Sequence, residues 1–300
     1  DGLSWATAYQ TVQEALGRTN ADRVANYEVW VAEGTYYPDE GGSHINNSRA
    51  EYFRISRNNV QLYGGFAGAE TQRDERDWTA HLVILSGDID GGGTLMNNAY
   101  HVLWLDGVTN EQITAATVLD GFIVTGGNAD DFDPDDSGAG LYCAGDGSGH
   151  ACSPTLRNLI ISGNTASSYG GGIYNDSWPD GESSPTLTNV TISGNSATYG
   201  GGMYNDGYEG GESSPTLTNV TISGNVAAED GGGIYSDGGY HGESMPTLTD
   251  VTISGNRAND GGGMYNSSMN RGVSSPQLTN ITISGNSASD EGGGMYNSST

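Results

Sequence analysis

The chain has 300 residues, 49 of them glycine, and a net charge of −27, and all ten of its cations are arginine. Such an acidic surface excludes nucleic acid and anionic membranes as natural partners, and no apolar run reaches the roughly 18 residues that a membrane-spanning helix needs. Low hydrophobicity with high charge is typical of disordered chains, but the strict repeat indicates a folded chain with a thin core. The acidic surface fits a soluble extracellular protein, or one that lives with divalent cations or high salt.

Residues 5–18 predict a short helix that covers one end of the fold. Tyr9, Val12 and Leu16 share a helical face, and Thr7 and Gln10 are placed as a capping box. Alternating apolar residues then predict a series of strands. These predicted strands are Tyr27–Tyr36, Phe53–Ile55, Val60–Phe66, Leu82–Leu85, His101–Leu105 and Val118–Val124.

Cys143 and Cys152 flank a loop rich in Gly and Asp. A local disulfide is the favoured interpretation, and it predicts export to an oxidising compartment. The alternative is a pair of free thiols. A metal site is disfavoured because only His150 lies close and no second cysteine pair exists.

From about residue 138 the sequence repeats. A Ser-Gly-Asn block ends at residues 164, 195, 225, 256 and 286, so the period alternates between 31 and 30 residues. Each block is followed by Gly-Gly-Gly, an Ile or Met, and a Tyr. A unit of this length cannot bury its apolar face alone and must stack on its neighbours.

One repeat reads as three short strands, one around Leu187, one over 190–193 and one over 201–204, joined by corners at Thr188-Asn189 and at Gly194-Asn195. This pattern predicts an all-β chain folded as a parallel β-helix, wound right-handed as parallel crossovers are, with coils about 4.8 Å apart. Residues 205–215 are predicted to leave the coil as a loop. Equivalent corner asparagines, which tolerate a left-handed backbone, are then expected to form a structural ladder. The ladder residues are Asn164, Asn195, Asn225, Asn256 and Asn286.

The predicted organisation is one continuous domain with three parts. Residues 1–38 form the cap and first strand, 39–137 form irregular coils with long loops, and 138–300 form the regular repeats. Because residue 300 follows a Tyr strand directly, we expect either a longer natural chain or another molecule stacked on that end.

Several stretches resemble bacterial surface proteins of the pectate-lyase-like, right-handed β-helix superfamily, namely Asp1–Leu16, Val29–Tyr37, Leu85–Asp90 and Val118–Asn128. The repeats are also similar to those of chlamydial polymorphic outer-membrane proteins. In this chain, Ile-Ser-Gly-Asn occupies the position of the family's Phe-x-x-Asn block, and Gly-Gly-Gly-(Ile/Met) occupies that of its Gly-Gly-Ala-(Ile/Leu/Val) block. The resemblance implies a β-helix fold and a role among adhesins and matrix components, and the superfamily also includes polysaccharide lyases and hydrolases.

The repeats themselves disfavour catalysis. Their outward positions carry Thr and Ser, with no unique acid that breaks the pattern, so no catalytic residue is predicted and no cofactor is required. Asp88 and Asp90 are the best candidates among the irregular coils, yet the resemblance implies a structural turn there. The five histidines are scattered, and surface or loop positions are expected for them.

Two sets of side chains could bind ligands. Stacked carboxylates repel, and calcium would relieve the repulsion; the alternative is that flexible loops splay the acids into solvent. These candidate calcium ligands are Asp176, Glu182, Asp206, Glu212, Asp237 and Glu243. The Tyr that follows each inward Ile or Met is expected to face outward, so these tyrosines form a stripe. One alternative is that the stripe is exposed for contact with sugars or other molecules; the other is that loops cover it. The stripe comprises Tyr174, Tyr204, Tyr235, Tyr265 and Tyr296.

The predicted function is that of an extracellular or cell-surface structural or adhesive β-helix, a building block of a surface layer, matrix or fibre. Its expected partners are other copies of itself, stacked axially or laterally, or extracellular glycans and cell surfaces. The alternative is a polysaccharide lyase or hydrolase with an acidic cleft in residues 39–136.

Overall fold

The computed structural model describes residues 2–21, 26–42 and 44–299. These residues form a parallel β-helix of about nine turns with one short helix at its N-terminal end. Each strand pairs in parallel with the equivalent strand of the next coil, in constant register through the regular repeats. The predicted fold class is therefore confirmed.

The helix runs from Val12 to Ala21, not over the predicted 5–18; it buries Val12 and Leu16 as predicted, whereas Tyr9 lies before it and is exposed. The predicted capping box at Thr7 and Gln10 is wrong, because Trp5–Thr7 is a separate 3₁₀ turn. Thr11 Oγ1 instead accepts the Glu14 N–H at 3.2 Å. Two further 3₁₀ turns lie at Arg73–Glu75 and Leu95–Asn97. No helix in the described ranges is long and apolar enough to cross a membrane.

Four parallel sheets run along the rod. Each sheet is named here after a residue type that recurs in its strands. The Leu sheet contains Tyr27–Ala32, Val60–Phe66, Val118–Asp120, Thr155–Arg157, Thr186–Thr188, Thr216–Thr218, Thr247–Thr249 and Gln277–Thr279. The Ile sheet contains Gly34–Tyr36, Val83–Ser86, Ile123–Thr125, Ile160–Ser162, Thr191–Ser193, Thr221–Ser223, Thr252–Ser254 and Thr282–Ser284. The Ala sheet contains Asn128–Ala129, Thr165–Ala166, Ser196–Ala197, Val226–Ala227, Arg257–Ala258 and Ser287–Ala288. The Tyr sheet contains Phe53–Ile55, Leu103–Asp106, Leu141–Ala144, Ile173–Asp176, Met203–Asp206, Ile234–Asp237, Met264–Ser268 and Met295–Ser299. A two-stranded sheet pairs Glu243–Ser244 with Val273–Ser274.

A regular coil thus has four strands where three were predicted. The two-residue strand of the Ala sheet is too short to leave a periodic pattern in the sequence. The predicted strand Tyr27–Tyr36 divides at Glu33, and Val118–Val124 divides at Gly121, whose φ is +88°. Segment 205–215 does not leave the coil, since its first residues end a Tyr-sheet strand and its loop hydrogen-bonds to the next loop.

The corners explain the repeated Asn and Gly. Asn189 takes φ +56° between the Leu and Ile sheets, and Gly194 takes φ +63° between the Ile and Ala sheets, values that Asn and Gly tolerate best. The prediction that the ladder asparagines take this conformation is wrong, because the preceding glycine does. The third glycine of each Gly-Gly-Gly block has a different role. A Cβ on Gly202 would lie 2.5 Å from the Gly233 carbonyl oxygen, so only glycine fits between the coils.

The core is a set of apolar columns. The inward residues of the Leu and Ile sheets, such as Leu187, Ile192, Leu217 and Ile222, are fully buried, while the residues on either side of each face outward. Each inward side chain therefore packs on its equivalents above and below. This thin, continuous core places every outward residue in a column along the rod.

Candidate functional site

The predicted asparagine ladder is present, and its members are fully buried except Asn286, which is half-buried. Asn195 Nδ2 donates to Asn225 Oδ1 at 3.0 Å and to the Ile161 carbonyl at 3.0 Å. The Asn195 backbone N–H also donates to Asn225 Oδ1 at 3.0 Å. The same contacts recur from Asn164 to Asn286, so each interior asparagine uses both amide hydrogens and both lone-pair directions of its oxygen.

The predicted disulfide is also present. Cys143 and Cys152 are bonded and fully buried. Cys143 occupies an inward position of the Tyr sheet, in register with Asn175. The bond therefore closes a surface loop directly onto the core.

Removing this bond should weaken the fold without changing its topology. We expect the double variant C143A/C152A to lose about 2–3 kcal/mol of unfolding free energy, because a short closed loop restricts the unfolded chain by about this amount. Urea denaturation of the variant and of the oxidised wild type measures the difference. Equal midpoints in the two proteins would contradict this role.

The tyrosine stripe is covered. Tyr174, Tyr204 and Tyr235 are each at most 8 % exposed. Rings of the preceding corner pack on them, with Tyr169 4.8 Å from Tyr204 and Tyr199 5.9 Å from Tyr235 between centroids. Of the two alternatives for this stripe, exposure for contact is thus excluded for these three residues.

The phenols of the Tyr sheet are paired with aspartates of the next coil. The hydroxyl of Tyr142 donates to Asp176 at 2.6 Å, that of Tyr174 to Asp206 at 2.7 Å, and that of Tyr204 to Asp237 at 3.2 Å. Burial raises the pKa of Asp206 to about 6, although the bond from Tyr174 opposes that rise. Burial, with the charge of Asp206, also raises the pKa of Asp176.

The glutamates of the candidate calcium set form a separate column. Glu182, Glu212 and Glu243 are in register in successive coils, with exposed side chains. Partial desolvation and the charges of the other two raise the pKa of Glu212. No group of three or more His, Cys, Asp or Glu side chains in the described part of the chain is placed to hold a metal ion, so the calcium prediction gains no support.

A pocket of about 230 Å³ opens on the Tyr sheet where the column pattern breaks. Ala144 stands at the register position that Asp176 takes in the next coil, and the smaller side chain leaves space. Tyr52, Arg54, Trp104, Asp106, Val108, Thr109 and Asp146 complete the lining. Beneath the rings lies His101, which is fully buried and hydrogen-bonded to Asp135 at 3.1 Å. This histidine lies in the segment before strand Leu103–Asp106, so a loop position is confirmed for it, but the expectation of a surface position is wrong.

The two carboxylates of the pocket differ in their proton affinity. Burial alone would raise the pKa of Asp106, but hydrogen bonds from Arg54 and from the backbone of Thr109 and Val108 outweigh it and lower that pKa. Burial raises the pKa of Asp146, and the charge of Asp106 adds to the rise. An ionised carboxylate and a more readily protonated one thus share a pocket with an arginine.

Asp88 and Asp90, the best catalytic candidates in the sequence, lie elsewhere. They accept hydrogen bonds from backbone N–H groups of an exposed turn, as the resemblance implies.

Two surface features were not predicted. An apolar groove of about 360 Å³ lies where Ile123 and Ile160 replace the outward threonines of the Ile sheet, and half-exposed Trp78 and Leu82 also line it. Exposed rings also lie at loop tips beside the Tyr sheet, including Trp178, which is 48 % exposed, and Tyr240, which is 41 % exposed. Neither feature belongs to the regular repeat pattern on which the sequence predictions relied.

Comparison with known proteins connects the repeats to one family model. Residues 158–176 and 219–237 match the Chlamydia polymorphic membrane protein (Chlamydia_PMP) repeat, and both segments run from the Leu–Ile corner to the Tyr strand. No curated protein matches the chain. The structure of rice weevil pectin methyl esterase is similar at 14 % identity and a TM-score of 0.33, covering 99 % of this chain and 88 % of that one. A similarity this weak carries no inference about activity.

Proposed function

We propose that this chain is an extracellular or cell-surface structural β-helix that builds a surface layer, matrix or fibre by self-association. The observation that carries the proposal is the continuous asparagine ladder, whose hydrogen bonds are satisfied from coil to coil. Such a column makes a stiff rod and takes part in no chemistry. The match to a membrane-protein repeat supports surface association, and the disulfide supports export.

Contacts between rods would use the surfaces that interrupt the regular pattern. The groove beside Ile160 offers apolar area for lateral association. The loop-tip rings of Trp178 and Tyr240 suit adhesion to glycans, because aromatic faces pack on sugar rings.

Electron microscopy at increasing protein concentration tests self-association. We expect filaments or sheets to appear as the concentration rises, and we expect the variant I160T, which restores the threonine of neighbouring coils, to reduce lateral contacts. The variant T221S, on the same column but outside the lining of the groove, is the matched control. Monomers at every concentration would overturn the building-block proposal.

The pocket at Asp106 supports a second candidate, a polysaccharide-active enzyme. Two carboxylates whose pKa values are shifted in opposite directions, beside Arg54, suit acid–base chemistry on a sugar. Incubation with pectin, alginate and matrix glycans, followed by product analysis, tests this candidate. Cleavage that is lost in both D106N and D146N but kept in D88N would establish it, and the absence of any product would remove it.

A further inference from the structure

The Tyr sheet carries a continuous column of aromatic rings that begins at the pocket. Successive ring centroids along it lie 4.1 to 5.7 Å apart. Rings in such contact exchange an electron readily when one of them is oxidised. The members of this aromatic column are Tyr52, Trp104, Tyr142, Tyr174, Tyr204, Tyr235, Tyr265 and Tyr296.

The column can be oxidised from solvent at the pocket end. Tyr52 and Trp104 are half-buried and line the open pocket, whereas Tyr142 and Tyr174 are at most 7 % exposed. Trp104 stacks on Tyr142 at 4.1 Å with nearly parallel rings. An electron removed from Trp104 is therefore replaced most directly from Tyr142.

Three phenols of the column have a base already in place. A tyrosine that loses an electron becomes strongly acidic and must release its proton. Tyr142, Tyr174 and Tyr204 are each hydrogen-bonded to a carboxylate, which can accept that proton. The next two, Tyr235 and Tyr265, bond instead to the hydroxyls of Ser267 and Ser298, which are poor bases, and they separate these three phenols from Tyr296, which bonds to Glu291.

We propose that the aromatic column conducts one-electron oxidation from the pocket to Tyr142, Tyr174 and Tyr204, where it is held as a neutral tyrosyl radical. The co-reactant is a one-electron oxidant, such as a peroxyl radical in solution, that is reduced by Trp104. Tyr142 then returns an electron to Trp104 and passes its proton to Asp176. The chain thereby acquires a second activity, the capture of radicals that reach its surface.

Transfer along the column balances at each step. When the radical moves from Tyr142 to Tyr174, an electron passes from Tyr174 to Tyr142 and the proton on Asp176 returns to Tyr142. The proton of Tyr174 passes to Asp206 at the same time. No net proton or electron is lost, and no phenolate forms in advance, because burial raises the pKa of Tyr142 and Tyr174 well above that of free tyrosine.

A photo-oxidant attached at the pocket tests the proposal. Both native cysteines are paired, so T109C gives one labelling site on the pocket rim. In this background, illumination with a sacrificial electron acceptor should give a tyrosyl radical detectable by electron paramagnetic resonance. We expect the signal to be largely lost in Y142F/Y174F/Y204F and kept in the control Y235F/Y265F, which removes two phenols of the same column that have a serine and not a carboxylate as partner.

The labelled T109C protein alone supplies a second readout that needs no change in the column. Radical formation should be slower in D₂O than in H₂O, because the proton moves with the electron. Equal rates in the two solvents, equal signals from Y142F/Y174F/Y204F and Y235F/Y265F, or oxidation confined to Trp104 would each overturn the proposal. A merely structural role for the Tyr–Asp bonds predicts those three results.

Discussion

Replacing Asn225 by alanine is expected to destabilise the fold by roughly 3–6 kcal/mol, since each buried polar group left without a partner costs about 1–3 kcal/mol. The change removes the acceptor of the Asn195 side chain and backbone N–H. It also removes the donor to the Ile192 carbonyl and to Asn256 Oδ1. Water cannot replace these contacts, because Asn195, Asn225 and Asn256 are at most 1 % exposed.

The control for this prediction is Asn286→Ala. Asn286 has the same backbone position but is only half-buried, so water can satisfy the groups it leaves. Urea unfolding of both variants should give a loss for N225A several times that for N286A. Similar small losses would show that the ladder contributes little to the stability of the fold.

The second large effect is a rise in stability as the pH is lowered from 8 to about 5. The pKa of Asp206 is about 6 in the folded state, against an ordinary value of 3.8. Between these values the folded state binds more protons than the unfolded state, so stability falls as the pH rises through this window. For Asp206 alone the full difference amounts to about 3 kcal/mol, of which roughly half is gained between pH 8 and 5. Asp230, whose pKa is also raised to about 6, acts in the same direction.

Thermal unfolding at a series of pH values measures this effect. Below about pH 4 the trend should reverse, because the pKa of Asp106 is lowered and its bond to Arg54 is lost on protonation. The variant D206N should show a smaller rise between pH 8 and 5, whereas D74N, at an exposed side chain, should behave as the wild type. A melting temperature that is constant or lower at pH 5 would contradict the buried Tyr–Asp pairing.

The regular part of the fold was predictable because a given position in the coil is occupied by the same or a similar residue type in every repeat. Leu187, Ile192 and Asn195 occur at fixed offsets, so their repetition defined both the apolar columns and the asparagine ladder. The disulfide followed from the two cysteines and their spacing. The side that each strand buries was accessible from the alternation of Thr with Leu or Ile, but strand bounds were not, since the strand predicted over 201–204 runs from Met203 to Asp206.

The Tyr–Asp bonds were not predictable from the same pattern. Tyr174 and Asp176 lie two residues apart and share the outward face, yet each bonds to the neighbouring coil and not to the other. Which partner each side chain bonds to depends on whether it is long enough to reach the neighbouring coil. It also explains why Asp176 and Asp206, predicted as candidate calcium ligands, lie mostly buried beneath phenols.

The pocket was inaccessible for another reason. Arg54, Trp104 and Tyr142 occupy equivalent positions, but loops of different length separate them in the irregular coils, so no period aligns them. The fully buried His101 was missed because isolated histidines give no pattern. Side chains that break a repeat become recognisable only when the coils are superimposed in space.

The coil-on-coil register is tested most directly by cross-linking engineered cysteines. Thr191 and Thr221 are outward residues paired in adjacent coils of the Ile sheet, where strands lie about 4.8 Å apart, within the roughly 4.4–6.8 Å Cα separation that a disulfide spans. The variant T191C/T221C should therefore form an intramolecular disulfide under mild oxidation, while T191C/T252C, two coils apart, should not. Failure of the first pair to cross-link, or equal cross-linking of both, would contradict the stacked β-helix.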